Sequence, residues 1–118
     1  MIMTIEEIFC NLYEKYGEEF NWSMVPFTQS KGFFVDELKK ELGIDNSLFH
    51  KNVFAVAKCD SNDDVLYLIG DGSVEGIWRI YHLTYSTNNS DGFPRYEEFT
   101  SRCDVGSYIE KMFVNENL

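Results

Sequence analysis

Two histidines, three cysteines and a run of acidic residues from 60 to 64 are the side chains with the widest chemical range in this 118-residue chain. General acid–base and nucleophilic catalysis most often need an imidazole, or a nucleophile beside a base. Only His50 and His82 offer an imidazole. His82 lies in an apolar stretch beside Trp78 and Ile80, where a packed sheet residue is the simpler reading. His50 lies in a polar connection. Cys59 and His82 both fall on expected strands, so a thiol–imidazole pair is conceivable, but no flanking motif accompanies it and a small buried hydrophobe accounts for Cys59. There is no Gly-x-Ser-x-Gly elbow, Walker loop or His-Glu-x-x-His. Gly70-x-Gly72 begins like a phosphate loop, but the third glycine position holds Glu75 and a strand follows where a helix N-terminus is needed. Asp60, Asn62, Asp64 and Asp71 occupy places one, three, five and twelve of a calcium loop. The sixth place, which requires glycine, holds Val65, and strands flank the loop. No cysteine or histidine pair has zinc-ligand spacing. The residues predict no catalytic centre, no cofactor and no metal site.

The elements around these residues follow from periodicity. Thr4 and Glu7 form a capping box, and Ile5, Ile8, Phe9, Leu12, Tyr13 and Tyr16 recur at helical spacing, predicting a helix from about Thr4 to Tyr16 that Gly17 ends. Residues 18–29 read as irregular, with Pro26 excluding a helix interior or central strand. A second helix is expected over about 32–42. The period then changes: Val53–Cys59, Val65–Ile69 and about 76–84 read as strands joined by short turns, an antiparallel meander. In the third, Trp78, Ile80 and His82 point one way and Ile77, Arg79, Tyr81 and Leu83 the other, so neither face is wholly polar. Residues 86–92 read as a loop, Tyr96 and Phe99 suggest a short helix, and a last helix is expected after an N-cap at Asp104. Strands clustered between helices predict a single α+β domain over 1–118, with a three- or four-stranded antiparallel sheet carrying N- and C-terminal helices.

Composition narrows the partners. Twenty acidic against ten basic side chains give a net charge of −10, which disfavours nucleic acid and anionic membrane surfaces. No apolar run approaches the ~20 residues of a membrane span. The odd cysteine count and the lack of a signal peptide point to a reducing cytoplasm. Solubility alone could account for the charge; recognition of a basic protein is the functional reading. That reading places the partner surface on Asp60, Asp63, Asp64, Asp71 and Glu75 in the two hairpin turns, with Trp78 and Tyr85 as aromatic anchors. Trp22 and Tyr81 are further anchor candidates, with core burial the competing reading for both tryptophans. The competing functions are a small enzyme or ligand-binding domain on the sheet face around Arg79, Tyr81 and His82, and an oligomerisation module. The chain is expected to be a monomer or weak homodimer.

The amphipathic N-terminal helix, the segment Val53-Phe54-Ala55-Val56-Ala57-Lys58-Cys59-Asp60, the strand Asp64-Val65-Leu66-Tyr67-Leu68-Ile69-Gly70, the strand Trp78-Arg79-Ile80-Tyr81-His82-Leu83-Thr84-Tyr85 and the closing segment Val105-Gly106-Ser107-Tyr108-Ile109-Glu110 together give the chain a familiar build. It resembles the small acidic immunity proteins of bacterial polymorphic and contact-dependent toxin systems. The SUKH superfamily is the nearest named group, with Trp22-Ser23-Met24-Val25-Pro26 standing where that group has a tryptophan followed by a leucine-proline pair. The resemblance implies a protein without catalytic activity that binds a cognate toxin, often a basic nuclease, and occludes it.

Overall fold

The computed structural model describes residues 3–70, 76–86 and 94–117. The chain begins with α1 (Ile5–Tyr16), a 3-10 turn at Gly17–Glu19 and the short strand β1 (Trp22–Met24). A second 3-10 turn (Phe27–Gln29) leads into α2 (Phe33–Leu42), and a third (Ser47–His50) leads into the sheet strands β2 (Val53–Cys59), β3 (Asp64–Ile69), β4 (Ile77–His82) and β5 (Arg95–Phe99). Helix α3 (Arg102–Asn117) follows. The five strands stand in chain order, β1-β2-β3-β4-β5, every neighbour antiparallel. The architecture is the expected α+β domain, with two more strands than the meander alone. Among the described residues no helix is long and apolar enough to cross a membrane.

The expected capping box is present: the Glu7 amide donates to Thr4 Oγ1 at 3.1 Å and the Thr4 amide to Glu7 Oε1 at 3.0 Å. At the other end of α1, Gly17 takes a φ of +67°, which its lack of Cβ permits. Two expectations are corrected. Residues 22–24 form a strand inside the segment read as irregular, and 95–99 form strand β5 in place of a short helix. Both are edge strands. Tyr96 and Phe99 mimic helical spacing, and β5 is too exposed to show the apolar alternation that marks an inner strand. Helix α3 starts ahead of the expected Asp104 cap, because the Ser101 hydroxyl accepts the Asp104 amide at 3.1 Å and places Asp104 in the first turn.

Both faces of the sheet are buried. Helices α1 and α3 cover Leu66, Trp78 and Ile80 in one cluster, whereas α2 and the Ser47–His50 turn cover Val65, Tyr67, Ile69, Tyr81 and Leu83 in another. Strand β2 serves both. A bulge at Val56 makes Ala55 pair with Tyr67 and Ala57 with Leu66. The extra residue reverses the alternation, so Val53 and Ala55 join the α2 side while Ala57 and Cys59 join the α1–α3 side. The bulge's neighbourhood is satisfied from the segment after β1: Val25 N donates to Val56 O at 2.9 Å, and Ala55 N donates to Ser30 O at 2.7 Å.

Helices α1 and α3 meet through Tyr16 and Phe113, whose ring centroids are 4.7 Å apart, and through Glu110, which accepts from Lys15 Nζ and Tyr16 Oη at 2.7 Å each. These donors hold the Glu110 carboxyl below its ordinary pKa. Gly106 makes the close approach possible, since a Cβ there would lie 2.7 Å from Ile8 Cγ2. Ile8 is β-branched and stiff, so it yields little. Gly106→Val is therefore expected to cost about 1–3 kcal/mol by overpacking. In a double-mutant cycle with Ile8→Ala, denaturant unfolding should show at least about 0.5 kcal/mol of coupling. Additive costs would mean that the two residues do not meet as described.

Candidate docking surface

The end of the sheet that carries the β2–β3 turn gathers chemistry from five elements. Asp60 and Asp63 stand exposed on the turn and Asp64 opens β3. The tip is tied down from within: Lys58 Nζ donates to Cys59 O at 2.6 Å and also to Asn62 O, the Asp64 amide donates to Asn62 Oδ1 at 2.9 Å, and Ser23 Oγ donates to Asp60 Oδ2 at 2.9 Å. Lys58 thereby braces the turn through its main-chain oxygens. Antiparallel register sets His82 opposite Asp64, with the His82 Nδ1 bonded to Asp64 Oδ1, and Arg95 opposite His82. A wide surface depression of about 590 Å³ lies over His82, Arg95, Tyr96 and Glu97.

Helix α3 closes the same end. The Tyr108 phenol is held above its ordinary pKa, first by burial and then by the negative charges of Glu97, Asp64 and Glu116. Asp64, Asn62, Tyr108, Met112 and Glu116 line one small crevice, of about 20 Å³. Met112 is 40% exposed and Tyr96 47% exposed. On the α3 face Asp64, Glu97 and Glu116 lie about Tyr108 and Met112 as an acid rim, while Tyr96 packs on the α2 face with Tyr81 and Arg79. Glu97 and Glu116 were not singled out by sequence, since only the β3–β4–β5 register and the course of α3 bring them beside Asp64.

Tyr85 belongs to this end as well. It follows β4, the Leu83 amide donates to Asp63 O at 3.1 Å, and burial followed by the charge of Asp63 raises its phenol pKa. Its φ of +56° is unusual for a residue with a side chain. A buried carboxylate holds it there: Glu41 of α2 accepts the Tyr85 amide at 3.0 Å, and the Thr84 amide and hydroxyl at 2.8 Å each. Charge-assisted bonds of this kind offset the cost of the left-handed backbone. Glu37, one turn earlier and also buried, has an oxygen without a hydrogen-bond partner. Hydrogen bonding to Glu41 raises its carboxyl pKa first, then burial, with Lys40 opposing.

Of the seven residues assigned from sequence, the structure brings together Asp60, Asp63, Asp64 and Tyr85. Asp71 and Glu75 lie outside the described residues. Trp78 is corrected: at 3% exposure it is walled into the α1–α3 core and cannot offer its ring to a docking protein. Trp22 and Tyr81 are buried too, which leaves Tyr85, 43% exposed, as the one surface residue of the four anchor candidates. The competing catalytic arrangements do not assemble. Cys59 and His82 have β3 between them, about 10 Å of strand spacing, with Asp64 intervening. Arg79 and Tyr81 share one face of β4 and His82 the other; Arg79 itself bonds Glu98 at 2.8 Å and Tyr81 Oη at 2.7 Å while stacking 4.3 Å from the Tyr96 ring centroid. Among the described residues no three histidine, cysteine or acidic side chains come together as a metal site.

The carboxyl pair yields two expected outcomes. A carboxyl whose folded pKa is raised loses stabilising effect as pH climbs from its unfolded value of about 4.3 through the folded one. Glu37→Gln, a mimic of the neutral acid, should therefore raise the melting temperature at pH 7 and lose that gain as pH falls toward 4; a gain independent of pH would refute the raised Glu37 pKa. Glu41→Ala should cost about 1–3 kcal/mol in urea unfolding by orphaning the Thr84 and Tyr85 amides. Comparison with protein families, with curated proteins and with solved structures finds no match to this chain.

Proposed function

We propose that the chain is an immunity-type inhibitor that acts in the bacterial cytoplasm, docking a cognate cationic toxin domain, for example a basic nuclease, onto the acid-rimmed end of its sheet and blocking it without performing chemistry. The observation that carries this reading is the gathering of Asp64, Glu97 and Glu116 about Tyr108 and exposed Met112, with Asp60 and Asp63 exposed on the adjoining turn and Tyr85 beside Asp63. An acid rim steers a positive partner and selects it, and the apolar centre contributes the contact that persists once water has left. The turn is braced by its own hydrogen bonds, and a preformed surface loses little entropy on association. The resemblance in build to toxin-immunity proteins adds the identity of the partner class. Strand β5, which carries Glu97, lies at the margin of the sheet on this surface.

The test is protection. Cells that produce the toxin domain encoded beside this chain should survive when the chain is supplied, and the purified pair should associate less tightly as salt rises from 50 to ~300 mM. Asp63→Lys combined with Glu97→Lys should weaken that association at least about tenfold and leave the melting temperature within a few degrees. Affinity indifferent to both reversals would move the interface elsewhere. A genomic neighbourhood without a toxin reading frame, together with no protection, would overturn the reading.

A further inference from the structure

Three unfavourable features meet where α2 touches the end of β4. Tyr85 keeps a left-handed backbone, φ +56°, which glycine adopts freely and a residue with a Cβ rarely does. Glu41 is a buried acid in the last turn of α2, where the helix's own carbonyls repel it. Glu37, one turn back and also buried, has one oxygen without a hydrogen-bond partner, and Lys40 Nζ lies 3.7 Å from the other. Strained backbone persists only where its surroundings over-determine it, and it gathers at binding and switch sites.

The bonds show what these features hold in place. Glu41 Oε1 accepts the Thr84 amide and hydroxyl at 2.8 Å each, which fixes the chain as it leaves β4. Glu41 Oε2 accepts the Tyr85 amide at 3.0 Å, which fixes the turn itself. The result is the position of one ring. Tyr85 comes to the surface beside Asp63, whose charge its phenol feels, while the Leu83 amide ties the same strand to Asp63 O at 3.1 Å. A return of Tyr85 to negative φ would rotate its Cβ about the N–Cα bond and carry the ring away from the acid end.

We propose, on the docking role assigned to the acid end, that Glu41 is a positioning residue of that surface. From the α2 layer, without touching the partner, it holds Tyr85 where the ring meets the docked protein, and so sets part of the affinity.

The readout is binding of the purified toxin domain encoded beside this chain. Glu41→Leu fills similar space and removes every acceptor. It should weaken binding about three- to tenfold, the loss of one interface side chain, and by the same factor from 50 to ~300 mM salt, because no charge on the rim has changed. Tyr85→Gly takes a positive φ without strain; it should weaken binding to the same degree while the melting temperature holds or rises. In that background Glu41→Leu should weaken binding no further, since no ring is left to place. Without any partner, the strong intraresidue amide–Hα NOE that marks a left-handed residue should be present at Tyr85 in the wild-type chain and absent in Glu41→Leu. Tyr85→Gly serves where Glu41→Leu does not fold. A wild-type chain that fails to bind the toxin domain removes the docking role and this one with it. Where the wild type binds, three results overturn the positioning role and leave docking in place: affinity unchanged by either variant, a Glu41→Leu loss of full size in the Tyr85→Gly background, or an NOE that survives Glu41→Leu.

Discussion

One extra residue in β2 governs how this sheet can be buried on both sides. With straight alternation, Val53, Ala55, Ala57 and Cys59 would share a single face, and the α2 cluster and the α1–α3 cluster could not both draw on the strand. The bulge at Val56 splits the four into two pairs, one for each layer. It also leaves backbone groups that need partners, and the segment after β1 supplies them through Val25 and Ser30. The placement of β1 and the course of residues 25–30 are thus consequences of one irregularity in the ladder.

The acid end depends on a different economy of charge. Of the nearby bases, His82 is bonded to Asp64, Lys58 is turned onto main-chain oxygens, and Arg79 is held between Glu98 and two tyrosine rings on the other face. Glu41 sits in the last turn of α2, where the helix dipole disfavours an acid. Its place there is explained by the two amides and the hydroxyl it accepts from Thr84 and Tyr85. With both tryptophans inside the core, the surface at this end is poor in large aromatic anchors. Association through it would rely on long-range attraction and therefore vary with ionic strength.

How much could be read beforehand depends on burial. The helices α1 and α2 and the three inner strands declared themselves through apolar spacing, as did the Thr4–Glu7 capping box. Strands β1 and β5 did not, because an edge strand is solvated along one side and β1 is only three residues long. The same limit acted on the site. Asp60, Asp63 and Asp64 are contiguous and visible as a cluster, whereas Glu97 and Glu116 join them only through register and helix direction. Trp78 failed as a surface anchor for a related reason: alternation within β4 placed it correctly beside Ile80, but its exposure depended on whether a helix lay above it. The bulge left no compositional trace, since Val53 to Cys59 alternates evenly by burial while changing faces midway.

The contact between α1 and α3 has a temporal side. Lys15 and Tyr16 reach Glu110 across more than ninety positions of chain, while the meander between them is built of neighbours. During synthesis α1 emerges well ahead of Val105, Ile109 and Phe113, the partners of its apolar stripe, which lie more than ninety positions further along the chain. Until then the stripe of Ile5, Ile8, Phe9 and Leu12 lacks half its cover, and this stretch is where a nascent chain would engage a chaperone.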